Sequence, residues 1–100
     1  MAKKTYMVRG KIWLYPGVHA SWHFVSIDKK QSADIKERYG KHAKGFRSLP
    51  VSVTIGDTSW ETSIFPSSSS GMYILPLKAK VRQAEGLFEG DEVRMEVRIR

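Results

Sequence analysis

Apolar and polar residues alternate with a period of two along most of this chain, the pattern of strands with one face in a core. From Thr5 to Tyr15, Tyr6, Val8, Ile12 and Leu14 share one face, with Arg9 and Lys11 on the other. Gly10 interrupts the apolar row and marks a bulge or a close backbone approach. Pro16-Gly17 is a turn, because proline presets φ at the second turn position and glycine accepts positive φ at the third. Val18 to Ile27 is the returning strand, with Trp22 and Phe24 alternating with His23, Val25 and Ile27 so that both faces are covered. Asp28 is an N-cap, with Gln31 three residues on as a capping box. A helix follows from about Ser32 to Tyr39, with Ile35 and Tyr39 on the face toward the sheet and Gly40 at its end. Gly40 to Pro50 reads as a loop. Val51, Val53 and Ile55 then alternate with Ser52 and Thr54 as a third strand.

The second half repeats this order. Gly56-Asp57 is a tight hairpin turn, and Ser59 to Phe65 a fourth strand. Pro66 and the run Ser67 to Ser70 form a flexible connection with nothing to bury. Met72 to Leu77 is a fifth strand. Leu77, Val81 and Ala84 lie at helical spacing, and Gly86 ends that short helix. Gly90-Asp91 turns the chain into a last strand, where Val93, Met95, Val97 and Ile99 face in while Arg94, Glu96, Arg98 and Arg100 face out. Each half is thus a hairpin, a short helix and a strand. Two such halves, related by a pseudo-two-fold, interlock into one six-stranded double-split β-barrel: a mainly β fold with two short helices, one domain over residues 1–100. Closure removes exposed strand edges.

Composition narrows the chemistry. At 100 residues with 41% hydrophobic residues, the chain can bury a core without staples. It has no cysteine, which excludes thiol catalysis, zinc–thiolate sites and iron–sulfur clusters. With no long apolar run, a cytoplasmic protein with no membrane span is expected. The net charge of +7 is uneven: residues 1–50 carry eleven Lys/Arg against three Asp/Glu, and residues 51–100 six against seven. A basic half of this kind points to an anionic partner, nucleic acid or a phosphorylated ligand; the alternative is charge that serves solubility.

The chain resembles the bacterial family known as domain of unknown function 1905. The likeness covers most of the sequence: Trp22-His23-Phe24-Val25, Gly45-Phe46 before Leu49-Pro50-Val51, Val53-Thr54-Ile55-Gly56, Trp60-Glu61-Thr62-Ser63-Ile64-Phe65, and the run from Gly71 to Val93. It implies a double-split barrel completed within one chain, hence a monomer with a dimer as the alternative, and no assigned activity. The last thirty residues are also similar to the AbrB/MazE-type swapped-hairpin transcription factors, through Leu75-Pro76, Arg82 and Gly90-Asp91. In those proteins two identical chains make the barrel, which often binds DNA. Here both halves lie in one chain and the matching half is not basic, so the likeness supports the barrel more than DNA binding.

No catalytic constellation is legible. His19 and His23 fall on a strand, where four residues span roughly 13 Å; one ion cannot take both nitrogens at about 2 Å. His42 stands in a basic loop, and no metal or cofactor is expected. No Gly-x-Ser-x-Gly elbow is present, and the four serines have no histidine or acid tied to them by spacing. Asp91 reads as a turn residue that caps local backbone N–H groups. Gly86 and Gly90 bracket a helix-to-strand turn, the reverse of a phosphate loop.

Two surfaces remain as candidates. Lys36, Arg38, Lys41, Lys44 and Arg47, interleaved with Tyr39 and Phe46, could pair with phosphates and offer rings for stacking. The alternative is a solvated helix and loop whose Tyr39 and Phe46 cap the barrel end. Trp60, Thr62 and Ser63 mark a candidate pocket. It would show as a concave, apolar cavity, and a filled barrel interior would count against it. Trp22 and Trp60 read as core residues and Trp13 as the most exposed of the three tryptophans. The resulting expectation is a non-enzymatic β-barrel module that binds an anionic partner or serves as an accessory interaction domain. The alternatives are a DNA-binding regulator or antitoxin, and a small-molecule or enzymatic pocket around Trp60.

Overall fold

The structure, a computed structural model, describes residues 4–16 and 22–100. Six strands form a closed antiparallel barrel in the order β1-β2-β5-β4-β3-β6. They are β1 (Thr5–Leu14), β2 (His23–Ser26), β3 (Leu49–Ile55), β4 (Thr58–Pro66), β5 (Tyr73–Pro76) and β6 (Glu92–Ile99), with helices α1 (Lys29–Tyr39) and α2 (Ala79–Glu85). The Val18–Ser21 part of the returning strand, Gly17 of the first turn and His19 lie outside the described residues.

The period-two faces become the core. Val93, Met95, Val97 and Ile99 are buried on β6, as are Leu49, Val51, Val53 and Ile55 on β3, and Tyr6, Val8 and Ile12 on β1. Burial of each such side chain contributes about 1.5–3 kcal/mol. With Val25, Ile64, Leu75 and the helix residues Ile35 and Val81 they fill the lumen.

Local chemistry places the helices. Asp28 Oδ1 accepts from the N–H of Gln31 at 2.7 Å, so α1 begins at Lys29, three residues before the apolar spacing alone suggests. Gln31 does not close a capping box: its side chain donates to the carbonyl of Met7 on β1, at 2.8 Å. Gly40 caps α1 in a right-handed conformation, and the chain runs on into a 3-10 turn over Gly40–His42. Gly86 ends α2 in the left-handed conformation, which costs glycine nothing. Asp91 accepts from the N–H of Phe88 at 2.8 Å, the expected turn cap. The serine connection is not loose. The N–H of Ser67 donates to the carbonyl of Met72 and that of Gly71 to the carbonyl of Ser67, both at 2.8 Å, tying the segment into a turn. Among the described residues no helix is long and apolar enough to cross a membrane.

The pseudo-two-fold can be read from the bonds. The N–H of Ile27 donates to the carbonyl of Tyr73 at 2.8 Å, and that of Leu77 to the carbonyl of His23 at 2.9 Å. Ile27 therefore corresponds to Leu77, Gln31 to Val81, and Ser32 to Arg82. Trp13 pairs with Phe24 as Phe65 pairs with Ile74. Counting back along β1 and β4, Gly10 corresponds to Thr62, Val8 to Trp60 and Tyr6 to Thr58.

Candidate functional site

The filled lumen leaves no room for a ligand inside the barrel. The concavity lies in one of its two splits. β4 pairs with β3 from Thr58 to Ile64 but with β5 only through Phe65–Ile74 and Pro66–Tyr73. Beyond these pairs β5 leaves through Pro76 into α2, and a groove of about 650 Å³ opens between them. Trp60 and Thr62 line it from β4, and Pro76, Leu77 and Arg82 from β5 and α2. The outer face of the barrel continues it through Phe24, Phe65 and Ile74. Its volume falls in the range of small-molecule sites, which are mostly apolar with a few placed polar groups.

An aromatic row extends from this groove. The Phe24 ring lies 5.2 Å from Trp13 and 5.9 Å from Tyr15, and Tyr15 lies 6.3 Å from Trp22. Trp13 Nε1 donates to Ser26 Oγ at 3.0 Å, which holds that ring against the sheet. Trp22 is 52% exposed, so the core reading fails for it and Trp13 is not the most exposed tryptophan. Trp22 closes a strand at the outer face, where the pleat offers no interior. Trp60 packs against the core while keeping a surface in the groove.

Farther along β1 a second, more polar concavity of about 680 Å³ lies against α1, but the place in the first half equivalent to the groove is tightly packed. There Gly10 stands where Thr62 stands in the second, and a Cβ on Gly10 would lie 3.1 Å from Val25 Cγ1 and 3.3 Å from the carbonyl oxygen of Ser26. Glycine lets β2 come in against β1; Thr62, at the corresponding place on β4, lines the groove instead. Ser32, 2% exposed, ties the start of α1 to β5: its hydroxyl donates to the carbonyl of Ile27 at 2.8 Å and accepts from the N–H of Tyr73 at 2.9 Å. Further along, α1 is laced to β1. Gln31 reaches Met7, Tyr6 donates to Asp34 at 2.5 Å, and the N–H of Lys4 donates to Tyr39 Oη at 2.9 Å. In the second half Val81, in the place of Gln31, has no donor to offer. Thr58, in the place of Tyr6, donates from Oγ1 to Glu85 at 2.6 Å, one residue beyond the position that matches Asp34.

Polar groups in the groove come from its rim. Arg82 Nε donates to the carbonyl of Leu77 at 3.1 Å, and its Nη1 lies 3.5 Å from His23 Nε2. Lys78 adds a second cation, and among the described residues no carboxylate lines the groove.

Of the three pocket residues read from sequence, Trp60 and Thr62 line the groove. Ser63 does not: it pairs with Pro50 and takes the opposite side of the pleat. His23, Phe24, Phe65 and Arg82 were missed, because they converge from separate strands and a helix. Aligning the two halves position by position exposes one of them, since the register sets Arg82 against Ser32.

The basic segment is only partly a patch. Arg38 Nε donates to both carboxylate oxygens of Asp34, at 3.0 and 3.1 Å, and Lys4 Nζ lies 3.2 Å from Oδ2 of the same group. Hydrogen bonds from Tyr6, Arg38 and Lys4 hold the Asp34 carboxyl down to about 2. Lys36, Lys41, Lys44 and Arg47 are spread over α1 and the two 3-10 turns that follow it. Tyr39 packs against the core. Phe46 does not cap the barrel end: it is 92% exposed, and both Phe46 and Arg47 take a left-handed φ of 58°.

No curated protein matches the chain. A family model does, described as a domain of unknown function and matched over residues 9–97, and with its closed six-stranded barrel the chain belongs to that family, DUF1905.

Proposed function

We propose that this domain is a binding module for a small molecule with a flat apolar body, held in the groove between β4 and α2. The observation that carries the reading is the difference between the two splits. In one, Gly10 lets β2 pack against β1; in the other, Thr62 takes the place of Gly10 and the groove is walled with aromatic and aliphatic side chains. A fold that can close this junction leaves apolar surface uncovered at one of two equivalent places. Uncovered apolar surface carries a cost in water that an occupant removes.

A neutral apolar fluorophore, N-phenyl-1-naphthylamine, tests the reading. Saturable binding is expected, with shifts of the Trp22 and Trp60 indole N–H signals in a ¹H–¹⁵N spectrum. Ala79→Trp, which places a ring at the exposed start of α2 and into the groove, should weaken binding at least tenfold without changing the fold. Binding that Ala79→Trp leaves intact would overturn the proposal.

One observation favours a second reading, nucleic-acid contact through the basic segment. The left-handed pair at Phe46 and Arg47 turns an aromatic ring into solvent between Lys44 and Arg47, and ring and cations together suit a single strand. Salt-sensitive retention on heparin tests it.

A further inference from the structure

We infer that the occupant of the groove bears a carboxylate, and that Arg82 receives it; this rests on the groove being a small-molecule site. The two-fold makes the inference. At the first junction the bridging group is the neutral hydroxyl of Ser32, which spends its one proton on Ile27 and its lone pair on Tyr73. At the second, the same backbone position is met by a guanidinium. Nε serves the carbonyl of Leu77 and Nη1 reaches His23 Nε2 at 3.5 Å, and a guanidinium carries five N–H groups in a fixed fork, so donors remain on Nη1 and Nη2.

The surplus has a direction. Arg82 is part-buried and lines the groove beside His23 and Lys78. Among the described residues the ion pairs join Lys4 and Arg38 to Asp34, and Arg100 to Glu61, so none neutralises Arg82. A cation against apolar walls is poorly hydrated, and its complement is an anion that brings its own apolar body. A carboxylate matches the fork with two parallel hydrogen bonds. Trp60, Phe65 and Ile74 would take the ring system, and the acid would point to α2.

A matched pair separates the inference from its premise: 2-naphthoate and 2-naphthamide share size and shape and differ in charge. Calorimetric titration of the wild-type domain should give at least tenfold tighter binding of the acid, lost progressively as salt is raised. Arg82→Gln keeps a donor for the carbonyl of Leu77 and should reduce that preference to within about twofold while binding of the amide is retained. Arg82→Lys should restore part of it. If the two compounds bind wild type equally, the acid inference falls and the groove stands. If neither binds, both readings fall. Should Arg82→Gln unfold, the salt dependence of the wild-type acid-to-amide ratio decides alone, and a ratio unmoved by salt overturns the proposal.

Discussion

Ser32 and Arg82 occupy equivalent places in the two halves and bond equivalent atoms, the carbonyls of Ile27 and Leu77, each five residues earlier. The serine also accepts from the N–H of Tyr73 on β5, and the arginine lines the groove. Ser32→Ala should therefore destabilise the domain by about 1–3 kcal/mol, because a buried carbonyl and the N–H of Tyr73 both lose their partner. Urea unfolding at unchanged m-value would show it; a loss below about 0.5 kcal/mol would mean that the junction is held by other contacts.

Gly10 sets the fit of β2 against β1. Gly10→Val drives a branched side chain toward Val25 Cγ1 and the carbonyl of Ser26. The expected cost is about 1–3 kcal/mol, as for overpacking in a core, read as a lower thermal midpoint. Thr62→Gly, the reciprocal change, should lower affinity for the naphthalene probes as β4 and β5 draw together.

Asp34 ties α1 to β1 electrostatically, and its pH dependence has a definite sign. The folded carboxyl sits at about 2, below its unfolded value near 3.9. The stability it contributes is complete above about pH 4 and is lost as pH falls toward 2. Asp34→Asn should flatten the acid limb of the stability curve in that window. The Tyr6 phenol is held above its ordinary value by burial and by its bond to Asp34, so its contribution is present below about pH 10 and fades above it. Tyr6→Phe should flatten the alkaline limb. Acid and alkaline unfolding followed by circular dichroism measures both.

The basic loop makes a separable prediction. Replacing Lys41, Lys44 and Arg47 together with Ala should lower heparin retention and reduce the salt slope of single-stranded DNA binding by about 2. Retention equal to wild type would remove nucleic acid from the second reading. Phe46→Asn should leave stability unchanged or raise it by up to about 1 kcal/mol, since asparagine tolerates the left-handed conformation and the exposed ring contributes no packing.

The strands were legible because their chemistry is local. Val93 to Ile99 alternates so regularly that its buried face follows from the letters alone, and of the two readings of Gly10, a bulge or a close backbone approach, the structure has the close approach. Trp60 and Thr62, grouped in the sequence, line one groove. What stayed hidden is relational. That β4 shares only two pairs with β5 is a matter of how long two distant strands run together, and no periodicity records it. Ser63 was grouped with its neighbours in sequence, although adjacent strand residues face opposite ways. Trp22 reads as a core residue and Phe46 as either a stacking ring or a cap on the barrel end, whereas a strand end and a left-handed turn put both in solvent.

Four of the six strand pairings join one half of the chain to the other. The longest reaches from Thr5 to Arg98, so the ends of the domain must meet before most of the core is rewarded. Loops of that length are entropically slow to close. The domain should therefore fold slowly for its size and in one cooperative step, with neither half persisting alone. A ribosome must finish β6 before the groove exists, and a nascent chain lacking that strand has nothing with which to hold a ligand.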